Sequence, residues 1–319
     1  MLLAAGLLAA CTADDGGSDV PDGGRGANGT QQTEITLHAD VHRMVEGTRA
    51  TTIDNATGLQ AQDIRIDAYF HGTETAYLDG VKLHYDTDAW KFWAASAETH
   101  YYWPIEGSVY SGSTVSSLDF VGYCPFDLSN TCIALDTYNG TGLSLTCTGL
   151  PVVNTTPGEG QTTQANLKEF LWAYTTNKTK DDNPVTMSFA HPFARIKFHV
   201  SGSDVTVNSV TISDVKNNGT CTFDGSAITW TPSGDPANLV ITGTPATGDT
   251  PYIVIPQTFA SDLTFTVNAS WNDWGDTPVE HTLSTTVSVS WQAGYSYTYT
   301  FNISPDDLTV NVTNFTEQW

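Results

Sequence analysis

A chain of 319 residues with 39% hydrophobic and 15% charged residues has ample core for one large or two medium domains. Its 35 acidic against 12 basic side chains leave a formal charge of −23, which repels phosphate backbones and argues against nucleic acid as a partner. Abundant Thr, Ser, Gly and aromatic residues point to an all-β chain of short strands joined by turns, with no long amphipathic helix.

The first residues, MLLAAGLLAAC, form an apolar run far too short to span a bilayer as a helix. Ending Leu8-Ala9-Ala10-Cys11, it resembles a lipoprotein signal: residues 1–10 form the signal peptide, small side chains at 9 and 10 admit the signal peptidase, and the Cys11 thiol carries the lipid. No Lys or Arg follows Met1, so a start codon upstream is expected to supply the missing basic segment. At ~0.8 kcal/mol per buried methylene, several acyl chains hold such a protein on the outer membrane. Residues 11–33, rich in Gly, Asp and Ser, cannot bury a core and are expected to form a flexible tether. Asp14 and Asp15 stand just behind the cysteine, where acidic residues resemble the surface-export signal of Bacteroidetes lipoproteins; a solvated linker is the equal alternative.

The segment 34–49 supplies the first strand and a loop. In EITLHADVH, Ile35, Leu37, Ala39 and Val41 alternate with Thr36, His38, Asp40 and His42, the period of a half-buried strand. A polar loop with Arg43 and Arg49 follows. Further strands are expected at Ile64–Phe70, Ala89–Trp93, Leu118–Tyr123, Leu143–Cys147, Val185–Phe189 and Arg195–Val200, separated by Gly, Asn, Asp and Pro clusters. Gln164–Tyr174 is the one helical candidate, with a single turn leading into a Leu171-Trp172-Ala173-Tyr174 strand as the alternative. From about residue 203 eight alternating runs, from VTVNSVTI to YSYTYTFNI, suffice for a second sandwich. Residues 50–190 and 191–319 are therefore expected to form an N-terminal and a C-terminal β-sandwich domain.

Cys124, Cys132, Cys147 and Cys221 form no CxxC pair and sit near no His at zinc-ligand spacing, so no metal or cofactor is expected. Export would allow three disulfide pairings; buried free thiols are the other reading. GxSxG, HExxH and phosphate-cradling Gly loops are missing from the sequence, and the eight His are scattered, so an enzyme is not expected. Trp271-Asn272-Asp273-Trp274-Gly275-Asp276 could stack on and hydrogen-bond a sugar through Trp271 and Trp274, which keeps a surface glycan-binding adhesin as the rival function; a hairpin whose indoles cover the core edge is the alternative.

Several blocks in order resemble the fimbrillin family, the subunits of type V pili in Bacteroidales. They are Tyr101-Tyr102-Trp103-Pro104 followed by Leu118–Pro125, then Phe170-Leu171-Trp172-Ala173, then Phe189-Ala190-His191-Pro192-Phe193, then Ile253–Gln257, and last Trp291-Gln292-Ala293-Gly294-Tyr295. They span about residues 34–319 and carry no chemistry; packing and tight turns account for them.

The resemblance implies two tandem transthyretin-like β-sandwich domains, export as a cell-surface lipoprotein and assembly into a pilus with other subunits by donor-strand exchange. It also implies cutting by an arginine-specific protease in the loop behind the first strand, and Arg49 matches that position ahead of Arg43. Removal of the strand bearing Ile35, Leu37, Ala39 and Val41 would open a groove; burial of Ile35, Leu37 and Val41 is worth roughly 5 to 9 kcal/mol as an upper value. In family stalk subunits a C-terminal strand is the donor, so Leu308, Val310 and Val312 are the candidates here, with pairing inside their own domain as the alternative. A stalk or a tip subunit is the reading, with an anchor subunit left open, and a host or bacterial surface glycan or protein is a candidate adhesion ligand.

Overall fold

Period-two alternation of β-branched and aromatic residues with small polar ones recurs along almost the whole chain and builds twenty-four strands among the described residues. The computed structural model describes residues 32–41, 53, 55–110, 112–128, 131–136, 138–153, 164, 167–201, 204–242, 251–272, 277–304 and 309–318. Its first half contains β1 (Leu37–Val41), a short helix α1 (Ala56–Gln60), β2 (Ile64–Phe70), β3 (Ala76–Asp86), β4 (Ala89–Ala94), β5 (Ala97–Glu98), β6 (Val109–Tyr110), β7 (Ser113–Thr114), β8 (Leu118–Cys124), β9 (Ile133–Leu135), β10 (Leu143–Cys147), β11 (Leu171–Lys178) and β12 (Val185–Phe189). The second half contains β13 (Ala194–Ser201), β14 (Thr206–Val215), β15 (Asn218–Phe223), β16 (Ile228–Ser233), β17 (Ala237–Thr242), β18 (Tyr252–Val254), β19 (Gln257–Thr258), β20 (Leu263–Trp271), β21 (Val279–Val287), β22 (Ser290–Trp291), β23 (Tyr295–Ser304) and β24 (Thr309–Gln318).

A six-stranded sheet in the order β11-β8-β2-β3-β4-β5 is the middle layer of the first half. One of its faces turns Leu118, Phe120 and Leu171 toward β1 and β12; the other turns Val121, Tyr123 and Trp172 toward a sheet in the order β16-β15-β10-β9. Covered on both sides, β8 reads LDFVGYC, with all seven residues buried. Its Gly122 is required by space: a Cβ there would stand 2.7 Å from the Phe189 ring of β12. Gly122→Ala is therefore expected to push β12 outward and cost about 1 to 3 kcal/mol in chemical denaturation. An unchanged midpoint would show that Phe189 moves freely.

The second half packs the sheets β18-β13-β23-β24 and β17-β14-β20-β21 around a separate core of residues such as Phe198, Val210, Phe265, Val267 and Tyr299. In β20 the alternation is complete, with Leu263, Phe265, Val267, Ala269 and Trp271 buried and the residues between them partly exposed. The hydrogen bonding does not divide at 190/191, however. The hairpin β15–β16 leaves the second half and joins β10 in antiparallel register, with Leu145 opposite Cys221. A strand edge left open by β10 is thereby covered from across the chain.

The strands expected at 64–70, 143–147 and 185–189 have those bounds. The helical candidate 164–174 is not helical in its described part: Leu171–Lys178 is β11, and the buried Trp172 and Tyr174 face one layer while Leu171 and Ala173 face the other. The long β3 has no unbroken sequence period, because its alternation is interrupted at Gly80, which has φ +62° beside the irregular pairing of Ile66 and Ala68. Cys124, Cys132, Cys147 and Cys221 are free and buried, and burial pushes the Cys124 and Cys221 thiols up.

Candidate functional site

Residues 33–41 lie as an extended segment between two partners. On one side the Ile35 amide donates to the Tyr101 carbonyl at 2.7 Å and the Trp103 amide donates to the Thr33 carbonyl at 2.8 Å. On the other side β1 runs parallel to β12, with Leu37 opposite Val185 and Val41 opposite Phe189. Pro184 has no N–H, so the ladder cannot simply continue upstream of Val185. The Asn183 side chain replaces it: its Oδ1 accepts from the Thr36 amide at 2.9 Å, and its Nδ2 donates to the Glu34 carbonyl at 3.0 Å. Trp90 Nε1 donates to the Ala39 carbonyl at 3.0 Å and fixes the far end.

Side chains follow the same face. Ile35, Leu37 and Ala39 are buried at 1%, 5% and 3% exposure, among Trp90, Phe92, Val185 and Phe189, while Thr36 and His38 face outward. Val41 is only partly buried, so the apolar burial reduces to Ile35 and Leu37, roughly 3 to 6 kcal/mol as an upper value. Asp40 has a buried Oδ1 with no hydrogen-bond partner among the described residues, an unfavourable feature in the strand itself.

Arg49, Arg43, Cys11, Asp14, Asp15 and Trp274 lie outside the described residues, as does Leu308. Past residues 42–52, which also lie outside the described residues, the Ile53 amide donates to Glu169 Oε2 at 2.6 Å. Glu169 Oε1 stands 3.1 Å from Nδ1 of the fully buried His191. No local pattern in the sequence singles out Glu169, because its role depends on two segments more than one hundred residues apart. The same holds for Asp119. It is wholly buried and accepts from His71 Nδ1 (2.8 Å), the Gly72 amide (3.1 Å), Tyr138 Oη (2.6 Å), Thr176 Oγ1 (2.5 Å) and the Asn177 amide (2.7 Å). Burial pushes its pKa up, but the hydrogen bonds from Thr176, Tyr138, Asn177 and His71 outweigh this and hold it below the usual carboxylate value.

Val310 and Val312 belong to β24, which is paired antiparallel to β23 from Ser304–Thr309 to Tyr295–Gln318. Trp271 is 4% exposed and stacked flat on His281 at 3.7 Å, so its ring face is already occupied. Among the described residues no three His, Cys, Asp or Glu side chains gather where a metal could be held.

A family model described as Fimbrillin-like matches residues 48–319. The chain belongs to this fimbrillin-like family. None of the curated proteins compared is similar enough to match. Among solved structures, a fimbrial protein from Bacteroides vulgatus is 12% identical over 90% of this chain and 99% of its own, with a TM-score of 0.58. A protein described as a cell adhesion protein from Bacteroides uniformis is 19% identical with the same coverage and a TM-score of 0.53. A third, similarly described, from Bacteroides ovatus is 16% identical over 91% of this chain and 99% of its own, with a TM-score of 0.50. At these identities the solved structures establish the fold. Fimbrillin-like membership makes the chain a structural or adhesive protein, not an enzyme. The matched range begins at residue 48, behind β1.

Proposed function

We propose that this fimbrillin-like protein is a subunit of a cell-surface pilus, anchored through Cys11 and assembled by replacement of β1 after proteolysis behind Arg49. The observation that carries the reading is the seating of residues 33–41, with main-chain bonds on both sides and two large apolar anchors, and a further attachment at Ile53. While the loop is intact, β1 is an intramolecular strand at high effective concentration. Once the loop is cut, β1 becomes a peptide that dilution removes. The vacated groove then presents the amides of Trp103 and Val185, the Tyr101 carbonyl and an apolar floor, which suits a strand from another subunit.

In this reading the two halves are the transthyretin-like sandwiches that the family resemblance implies, and the incoming strand comes from a different fimbrial subunit. The pairing of β24 along β23 favours an acceptor whose own last strand stays in its sheet. No observation favours the glycan-binding reading at Trp271, whose ring is covered.

Arg49→Ala, with Arg43 intact, is expected to give a chain that an arginine-specific protease leaves unable to polymerise, whereas the unmodified chain loses residues before Ala50 and assembles. N-terminal sequencing and electron microscopy of the treated material read this directly. Fibres from Arg49→Ala under identical conditions would sink the assignment of the cut.

A further inference from the structure

The strand groove does not end where β1's apolar row ends. Stepping back along the inward face from Leu37 and Ile35, the next position is Thr33, a small polar residue that is exposed. There a cavity of about 330 Å³ opens beside Gln32 and Thr33 of the strand segment, with an apolar wall of Trp103, Ile105, Val115 and Leu118 and a polar rim that includes Glu106, Lys180 and Asp181. Val115 and Leu118 are buried, and the Ile105 side chain is exposed. The indole of Trp103 is 95% buried by its neighbours, at 5% exposure, yet its Nε1–H has no acceptor among the described residues. An orphaned buried donor is a cost that native structures rarely leave uncompensated.

We propose that this cavity is the end subsite of the groove, built for a large apolar side chain of the strand that replaces β1, together with a carbonyl oxygen that accepts from Trp103 Nε1. The inference rests on the strand-exchange reading. The occupant is a strand from another subunit, because the cavity is continuous with the track of β1 and the Trp103 main chain already binds that track through the Thr33 carbonyl. The resident strand places threonine where leucine or phenylalanine would fill the space. It also brings in the unpartnered Asp40 oxygen. A replacement that fills the subsite, and that carries no carboxylate at the other end of the track where Asp40 now sits, binds better than β1, which makes exchange run in one direction.

Thr33→Leu in the full chain tests the subsite, with Thr33→Ser as control. The uncut Thr33→Leu chain is expected to unfold at a higher denaturant midpoint than wild type, with the indole emission shifted to the blue, while Thr33→Ser matches wild type. After cutting, the Thr33→Leu strand should be lost roughly tenfold more slowly, the change expected from burying about half to all of one leucine side chain. A midpoint that is unchanged or lowered by Thr33→Leu overturns the subsite, whatever happens on cutting. If instead the midpoint rises but neither cut chain ever releases its strand, the subsite stands as a cavity and the strand-exchange reading is what fails.

Discussion

Leu37→Asp is expected to remove about 4 kcal/mol or more of stability from the uncut chain and to release β1 as soon as the loop is cut. Leu37 is 5% exposed and packs into the core that β1 closes, so the variant loses its apolar burial and also forces a carboxylate either to desolvate or to drag the strand out. His38, one residue along, faces solvent. His38→Ser should therefore change stability by no more than about 0.5 kcal/mol. The pair of variants separates two ideas that a single truncation would confuse: a strand held by one face, and a leader held only by its connection. Equilibrium denaturation gives the first readout, and mass spectrometry of the peptide released after cutting gives the second. Equal effects at positions 37 and 38 would contradict the one-sided seating on which strand replacement depends.

The other large effect is predicted at Asp119, far from the groove in function but close to it in the fold. Asp119→Ala leaves five donors without their acceptor in a buried site, at an expected cost of about 3 to 5 kcal/mol. The acid dependence follows from the direction of its shift. The folded-state pKa lies below the unfolded value of about 3.9, so the unfolded chain binds the proton more readily. The stabilisation is thus complete above the unfolded value and is lost as pH falls through the lower folded one. The difference in stability between wild type and Asp119→Ala should accordingly be constant from neutral pH down to about 5 and shrink below about 4. A difference that grew on acidification would show that another group dominates. Burial and the nearby Asp119 carboxylate push the Tyr138 hydroxyl up, which keeps it protonated and donating through the alkaline range as well.

Side-chain amides do the work of missing backbone in several places. Asn183 continues the ladder past Pro184 on β1. Gln164 brackets Ile253, accepting from its amide at 2.8 Å and donating to its carbonyl at 2.7 Å. Gln257, in the Pro-Gln block of the family resemblance, does the same to Lys216, with both contacts at 3.0 Å. A carboxamide carries one acceptor and a donor in the spacing of a peptide group, so it can close a sheet edge where the chain cannot. These residues are polar and buried or half-buried, and nothing local in the sequence shows which backbone groups they bind.

What the amino-acid sequence determines by itself is whatever is local. The alternation of Ile35, Leu37 and Ala39 with Thr36 and His38 fixes a strand with one buried face, because successive side chains in extended backbone point to opposite sides. The same rule delivers β2, β10, β12 and β20, and the order of the aromatic blocks delivers the family. Tertiary structure alone decides which edge each strand meets. Nothing in VTMSF announces that β12 will run parallel to β1, and nothing in NGTCTF announces that β15 will cross to β10. Pairing partners are chosen by packing between residues distant in the chain, and so are Asp119's donors, the Glu169 contact with Ile53 and the unfilled space beside Trp103; none of these leaves a period in the sequence to be read.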